Sequence, residues 1–175
     1  NGTIAVTTPR LNYGATANFT LTPAAGYHVA SVTGDTCTPN GASSGGTWTA
    51  TNIGANCTVT ATFAINTYTI TASVSGGNGT ITVTTPTVNY GNAANLTLTP
   101  ATGYHVASVA GDTCTPTGAS SGGAWVAANV KVNCTVTASF AINTYAVDAD
   151  ASGGNGTIAP PTQTVNYSDT ATFTL

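Results

Sequence analysis

Between residues 58 and 65 the apolar side chains fall on odd positions, Val59, Ala61, Phe63 and Ile65, and Thr58, Thr60 and Thr62 fall on even ones. An extended chain points successive side chains to opposite sides, so this alternation predicts a strand with one dry face. From Tyr68 the apolar set moves to even positions: Tyr68, Ile70, Ala72 and Val74. A slip of one residue turns every side chain over. One flat strand therefore cannot run through Asn66-Thr67, and we place a module boundary there.

Further short strands follow the same logic. Residues 68–74 lead into Ser75-Gly-Gly-Asn-Gly, whose Asn-Gly pair suits a tight hairpin, with residues 80–84 as the returning strand. Asn89-Tyr-Gly and Pro100-Ala-Thr-Gly read as turns before strands at 94–99 and 104–109. A Gly/Ser loop at 118–123 precedes a strand around Trp125, and residues 134–141 close the module. No helical period competes with these strands, apart from room for a short helical turn near Pro100. The expectation is an all-β fold of tandem small modules, β-grasp-like or sandwich-like, each with five or six short strands.

The alternation recurs because the sequence does. Asn1-Gly-Thr-Ile returns at Asn78 and Asn155, so 78 − 1 and 155 − 78 both give a period of 77 residues. About 56 of the 77 positions are identical between the first two copies, without a gap. Counted from the parity slip, the modules are 1–66, lacking its first strand; 67–143, complete; and 144–175, the start of a third. The chain has no Met and breaks off inside a repeat, which reads as an excerpt from a longer array.

Composition narrows the class. The charged residues are Arg10, Lys131 and five aspartates (Asp35, Asp112, Asp148, Asp150 and Asp169), for a net charge of −3. Nucleic-acid binding needs clustered basic residues, so no nucleic-acid partner is expected. No apolar run has the length of a membrane span. So few carboxylates also predict a melting temperature nearly constant between about pH 4 and pH 8.

A module this small buries little of its surface, and cysteines offset that. Cys37 and Cys57 recur as Cys114 and Cys134, one before each Gly/Ser loop and one opening each closing strand. Four cysteines allow three connectivities. The repeat favours Cys37–Cys57 and Cys114–Cys134, so that every module closes itself. Such bridges persist in oxidising compartments, which implies a secreted, extracellular or cell-surface location, and reductant is expected to lower the melting temperature sharply.

Asn89-Tyr-Gly, Leu96-Thr-Leu-Thr-Pro, Gly103-Tyr-His-Val, Cys114, Asn133-Cys-Thr-Val-Thr-Ala-Ser-Phe and Ile142-Asn-Thr-Tyr together resemble the divergent internalin-type B-repeat family. The resemblance covers essentially the whole chain. It implies a small β-rich, β-grasp-like module, strung along large secreted or surface proteins of bacteria as a spacer or adhesive stalk. It brings no catalytic residues.

The remaining chemistry is sparse. His28 and His105 follow a core-parity Tyr and are expected on the opposite face, in a structural or solvated role; no Glu exists to partner them as a base. Asp35 and Asp112, in Gly-Asp-Thr-Cys, are expected to shape a turn rather than bind calcium. Trp48 and Trp125 can each plug a thin core or present a flat apolar face to a glycan, and the plug is favoured. No nucleophile, base and orienter come together. The sequence therefore predicts a non-enzymatic structural segment, a stalk, spacer or fibre scaffold without a cofactor, whose partners are neighbouring repeats or identical subunits in a fibre. The alternative is an adhesin binding a glycan or host protein through Trp48, Trp125, His28, His105 and the Gly/Ser loops. The first module also exposes a sheet edge. A preceding module is the favoured strand to fill it, ahead of donation from another subunit.

Overall fold

The computed structural model describes all residues from Asn1 to Leu175 and contains strands and turns but no helix. In chain order the strands are β1 (Gly2–Val6), β2 (Ala17–Pro23), β3 (Tyr27–Gly34), β4 (Pro39–Asn40), β5 (Gly46–Ala50), β6 (Val59–Ile65), β7 (Thr67–Ser75) and β8 (Gly79–Val83). They continue as β9 (Thr87–Asn89), β10 (Ala94–Pro100), β11 (Tyr104–Gly111), β12 (Pro116–Gly118), β13 (Gly123–Ala127), β14 (Cys134–Ile142), β15 (Thr144–Asp148) and β16 (Thr162–Asn166). Two compact units result: Asn1–Tyr68 with Asn89–Gly91, and Thr69–Val88 with Asn92–Leu175.

In the second unit one sheet has the order β12-β13-β10-β8 and another β11-β14-β7-β9. The inner face of the first sheet carries Ala94, Leu96, Leu98, Trp125 and Ala127; that of the other carries Ile70, Val106, Val136, Ala138 and Phe140, all buried. The module is thus a two-sheet sandwich in which alternate residues of each strand face inward. β7 lies parallel to β14, with Ile70 opposite Cys134 and Ser75 opposite Ser139. On the outer face the pair carries a hydroxyl ladder: Thr71 Oγ1 donates to Thr135 Oγ1, and Ser73 and Thr137 hydroxyls meet, both at 3.1 Å.

Two sequence expectations change here. Residues 75–79 do not form a hairpin: β8 pairs with β10 while β7 pairs with β14, so this turn carries the chain from one sheet to the other. Asn78 and the two glycines before it have positive φ, as a sharp corner requires. Likewise β15 pairs with β16, eighteen residues beyond its first residue, and not with the segment after Asn155. The complete repeat also holds eight strands, because β9 and β12, three residues each, were too short to show as periodicity.

The first unit repeats the sheet β1-β2-β5-β4, but its other sheet contains β3 and β6 alone. Its core is Ala17, Phe19, Leu21, Val29, Trp48 and Ala50, with Val32, Ile53, Val59 and Phe63 packed against it. β3 and β11 each contain a bulge, between Val29 and Ser31 and between Val106 and Ser108. The extra alanine lets Val29 and Val32, an odd spacing apart, both face inward.

Candidate functional site

The histidines mark the most elaborated polar site of each repeat. His28 Nδ1 lies 2.8 Å from Asn66 Oδ1, and His105 Nδ1 lies 2.8 Å from Asn143 Oδ1. A carboxamide oxygen only accepts, so the imidazole Nδ1–H donates in both. Asn66 is saturated: its N–H donates to Gly26 O at 2.7 Å, and its carbonyl accepts from the Tyr90 N–H at 2.9 Å. The second copy matches it, with Asn143 N–H to Gly103 O and Tyr167 N–H to Asn143 O, both 2.8 Å. Gly26 (φ +79°) and Gly103 (φ +81°) lie under the rings of Tyr90 and Tyr167, and a Cβ on either would overlap the ring. Tyr90 in turn leans on Tyr68, with centroids 6.3 Å apart. Each clasp therefore combines a Gly-Tyr-His turn, the Asn that follows the repeat's last strand, and a Tyr supplied by the next repeat.

Sequence reasoning placed His28 and His105 in structural roles but missed Asn66, Asn143, Gly26 and Gly103. The partner lies 38 residues away, across the β3–β6 or β11–β14 pair, where no local pattern reaches.

The cysteines pair as Cys37–Cys57 and Cys114–Cys134, each with Cα atoms 5.9 Å apart and none left free. Beside each bridge an aspartate organises the turn. The Asp35 carboxylate accepts from the N–H of Thr58 at 2.8 Å and of Thr36 at 2.7 Å; Asp112 accepts from the N–H of Thr135 at 2.8 Å and the Thr113 hydroxyl at 3.1 Å. The backbone bond from Thr58 is the largest cause holding the Asp35 carboxyl below its ordinary 3.8, and that from Thr135 does the same for Asp112. These carboxylates spend their oxygens on the protein's own amides.

Trp48 and Trp125 are each 9 % exposed and stack against Gly41 and Gly118, where a Cβ would collide with the indole. Trp48 Nε1 donates to Ala42 O at 3.2 Å. No group of three or more His, Cys or acidic residues is placed to hold a metal ion, and no helix is long and apolar enough to cross a membrane.

A repeat closed by its own disulfide and clasped to its successor is a self-similar building block. Residues 1–67 and 68–144 each match the model of the divergent InlB B-repeat domain. The chain belongs to that family, in two tandem copies. No curated protein and no solved structure matches it.

Proposed function

We propose that this chain is a structural segment of a tandem β-repeat array on the outside of a bacterial cell, a stalk, spacer or fibre scaffold with no catalytic role. The observation that carries the reading is the clasp. Asn66 and Asn143 each bind the turn of their own repeat and the Tyr of the next, in the same geometry 77 residues apart. A device that recurs at the repeat period fixes each repeat to its neighbour, which is what an array needs. The disulfides support an oxidising compartment, and with it a secreted or surface location.

An adhesive role through the tryptophans finds less support, because indoles that are 9 % exposed offer no open face for a sugar to stack on. Electron microscopy of native material, labelled with antibody to the repeat, should show extended beaded rods or fibres. On a glycan array the full chain should give no binding that Trp125→Ala abolishes. Reproducible binding lost in that variant would overturn the structural reading in favour of adhesion.

A further inference from the structure

The first repeat lacks what completes the second. β6 is hydrogen-bonded to β3 along one edge and to no strand along the other, whereas the equivalent β14 holds β7 there. The open edge borders a groove of about 900 Å³ whose walls include Ile4, Val6, Leu11, Phe19, Ile53 and Val59. Val6 is 54 % exposed and Leu11 38 %, while Val88, the counterpart of Leu11, is 7 % exposed beside β7. The side chain that β7 brings to this place in the second repeat is Ile70, 2 % exposed. The groove is the mould of such a strand.

The complementary strand lies at the other end of the chain. β15 is the counterpart of β7, with Tyr145 and Val147 standing for Tyr68 and Ile70. It is hydrogen-bonded to β16 alone, and β16 covers the side that β9 covers on β7. The edge left open is the one that β7 offers to β14. Charge also distinguishes this pair from the internal one. The groove contains Arg10, one of two basic residues in the chain, where the second repeat has Thr87. The donor segment carries Asp148 and Asp150 where β7 and its neighbours carry Thr71 and Ser73. Acceptor and donor thus differ from the internal pair by opposite charges.

We infer that β15 of a second copy of this chain adds to the β6 edge of the first repeat, parallel, with Val147 opposite Cys57. The register is that of Ile70 opposite Cys134 moved by one period, 70 + 77 and 134 − 77. Main-chain hydrogen bonds along the shared edge supply affinity, and the groove reads the alternate side chains. Donor and acceptor are different surfaces at different ends of one chain, so the contact is heterologous and propagates head to tail. This contact between copies goes beyond the array reading and stands whether or not the parent protein is a stalk.

The test is sedimentation of the intact, oxidised 175-residue chain from about 10 μM to about 1 mM. The average mass should rise with concentration, and about 0.5 M NaCl should weaken the association by screening. Val147→Asp and Arg10→Glu should each weaken it about tenfold or more, with intact disulfides and an unchanged far-ultraviolet spectrum as the control for folding. A synthetic peptide of residues 144–152 should bind the chain and cap its growth. A strictly monomeric chain that ignores the peptide overturns the inference. So does association indifferent to both substitutions, which would place the contact on another face. Tighter binding of a neutral peptide of residues 67–75 also overturns it, since the groove would then prefer a strand of the internal, β7 type.

Discussion

Asp35 and Asp112 show how much one side chain can organise in a chain with almost no charge. Each carboxylate binds amide hydrogens on both sides of a disulfide-closed loop, tying the Gly-Asp-Thr-Cys turn to the start of the next strand. Both carboxyls titrate below 3.8 in the folded protein, first because of the backbone bonds from Thr58 and Thr135. A carboxyl whose pKa is lowered by folding contributes stability that is complete above its unfolded value and is lost as pH falls through the folded one. The melting temperature should therefore stay nearly flat from about pH 8 down to about pH 4 and decline below that. The Asp35→Asn, Asp112→Asn double variant should be less stable at neutral pH and lose most of that acid decline. Thermal melts of both proteins between pH 2 and pH 8 check this; a steep transition near pH 5 or 6 would point to a different titrating group.

At the scale of elements, β7 is the strand on which the second sandwich depends. Its parity was readable at once, because Tyr68, Ile70, Ala72 and Val74 alternate against Thr67, Thr69, Thr71 and Ser73. Its partner was not. Alternation states which face is dry but carries no information about which edge a strand joins, and Asn-Gly at a sheet-to-sheet corner looks the same as Asn-Gly in a hairpin. The parallel β7–β14 pair joins residues 64 apart, and its long crossover is the rest of the module. The clasp was illegible for a related reason: Gly26, His28, Asn66 and Tyr90 meet only once β3 and β6 have paired. What the repeat did make legible was anything repeated, including the Cys37–Cys57 and Cys114–Cys134 bridges. Because Ile70 fills the space between the two sheets at 2 % exposure, Ile70→Ala should destabilise the second repeat by about 2–4 kcal/mol, the range for a core truncation that leaves a cavity. Chemical denaturation followed by Trp125 fluorescence, in a Trp48→Phe background, measures it.

Across the whole molecule, nearly the same sequence occupies two different surroundings, which makes the chain its own control. Cys57-Thr-Val-Thr-Ala and Cys134-Thr-Val-Thr-Ala are identical, and so are Asp35-Thr-Cys and Asp112-Thr-Cys. Yet Cys134, Val136 and Ala138 are buried at 2 %, 0 % and 0 %, while Cys57, Val59 and Ala61 are only half-buried. The difference comes from the neighbour and not from the residues: β7 covers one edge and nothing covers the other. A thiolate reductant must reach a sulfur in line, so access governs the rate when the bonds and their local charges match. Under limiting reductant the Cys37–Cys57 bridge should open before Cys114–Cys134, by about tenfold or more in rate if local opening of the β7–β14 pair must come first. Each bridge closes a loop of sequence separation 20, worth about 3 kcal/mol in the chain-entropy account, so the first repeat should lose structure while the second still holds. Differential alkylation with peptide mapping reads the order directly. A peptide of residues 144–152 added beforehand should slow reduction of the first bridge and leave the second unchanged. Equal rates for the two bridges, with and without that peptide, would mean that strand coverage does not control access to these sulfurs.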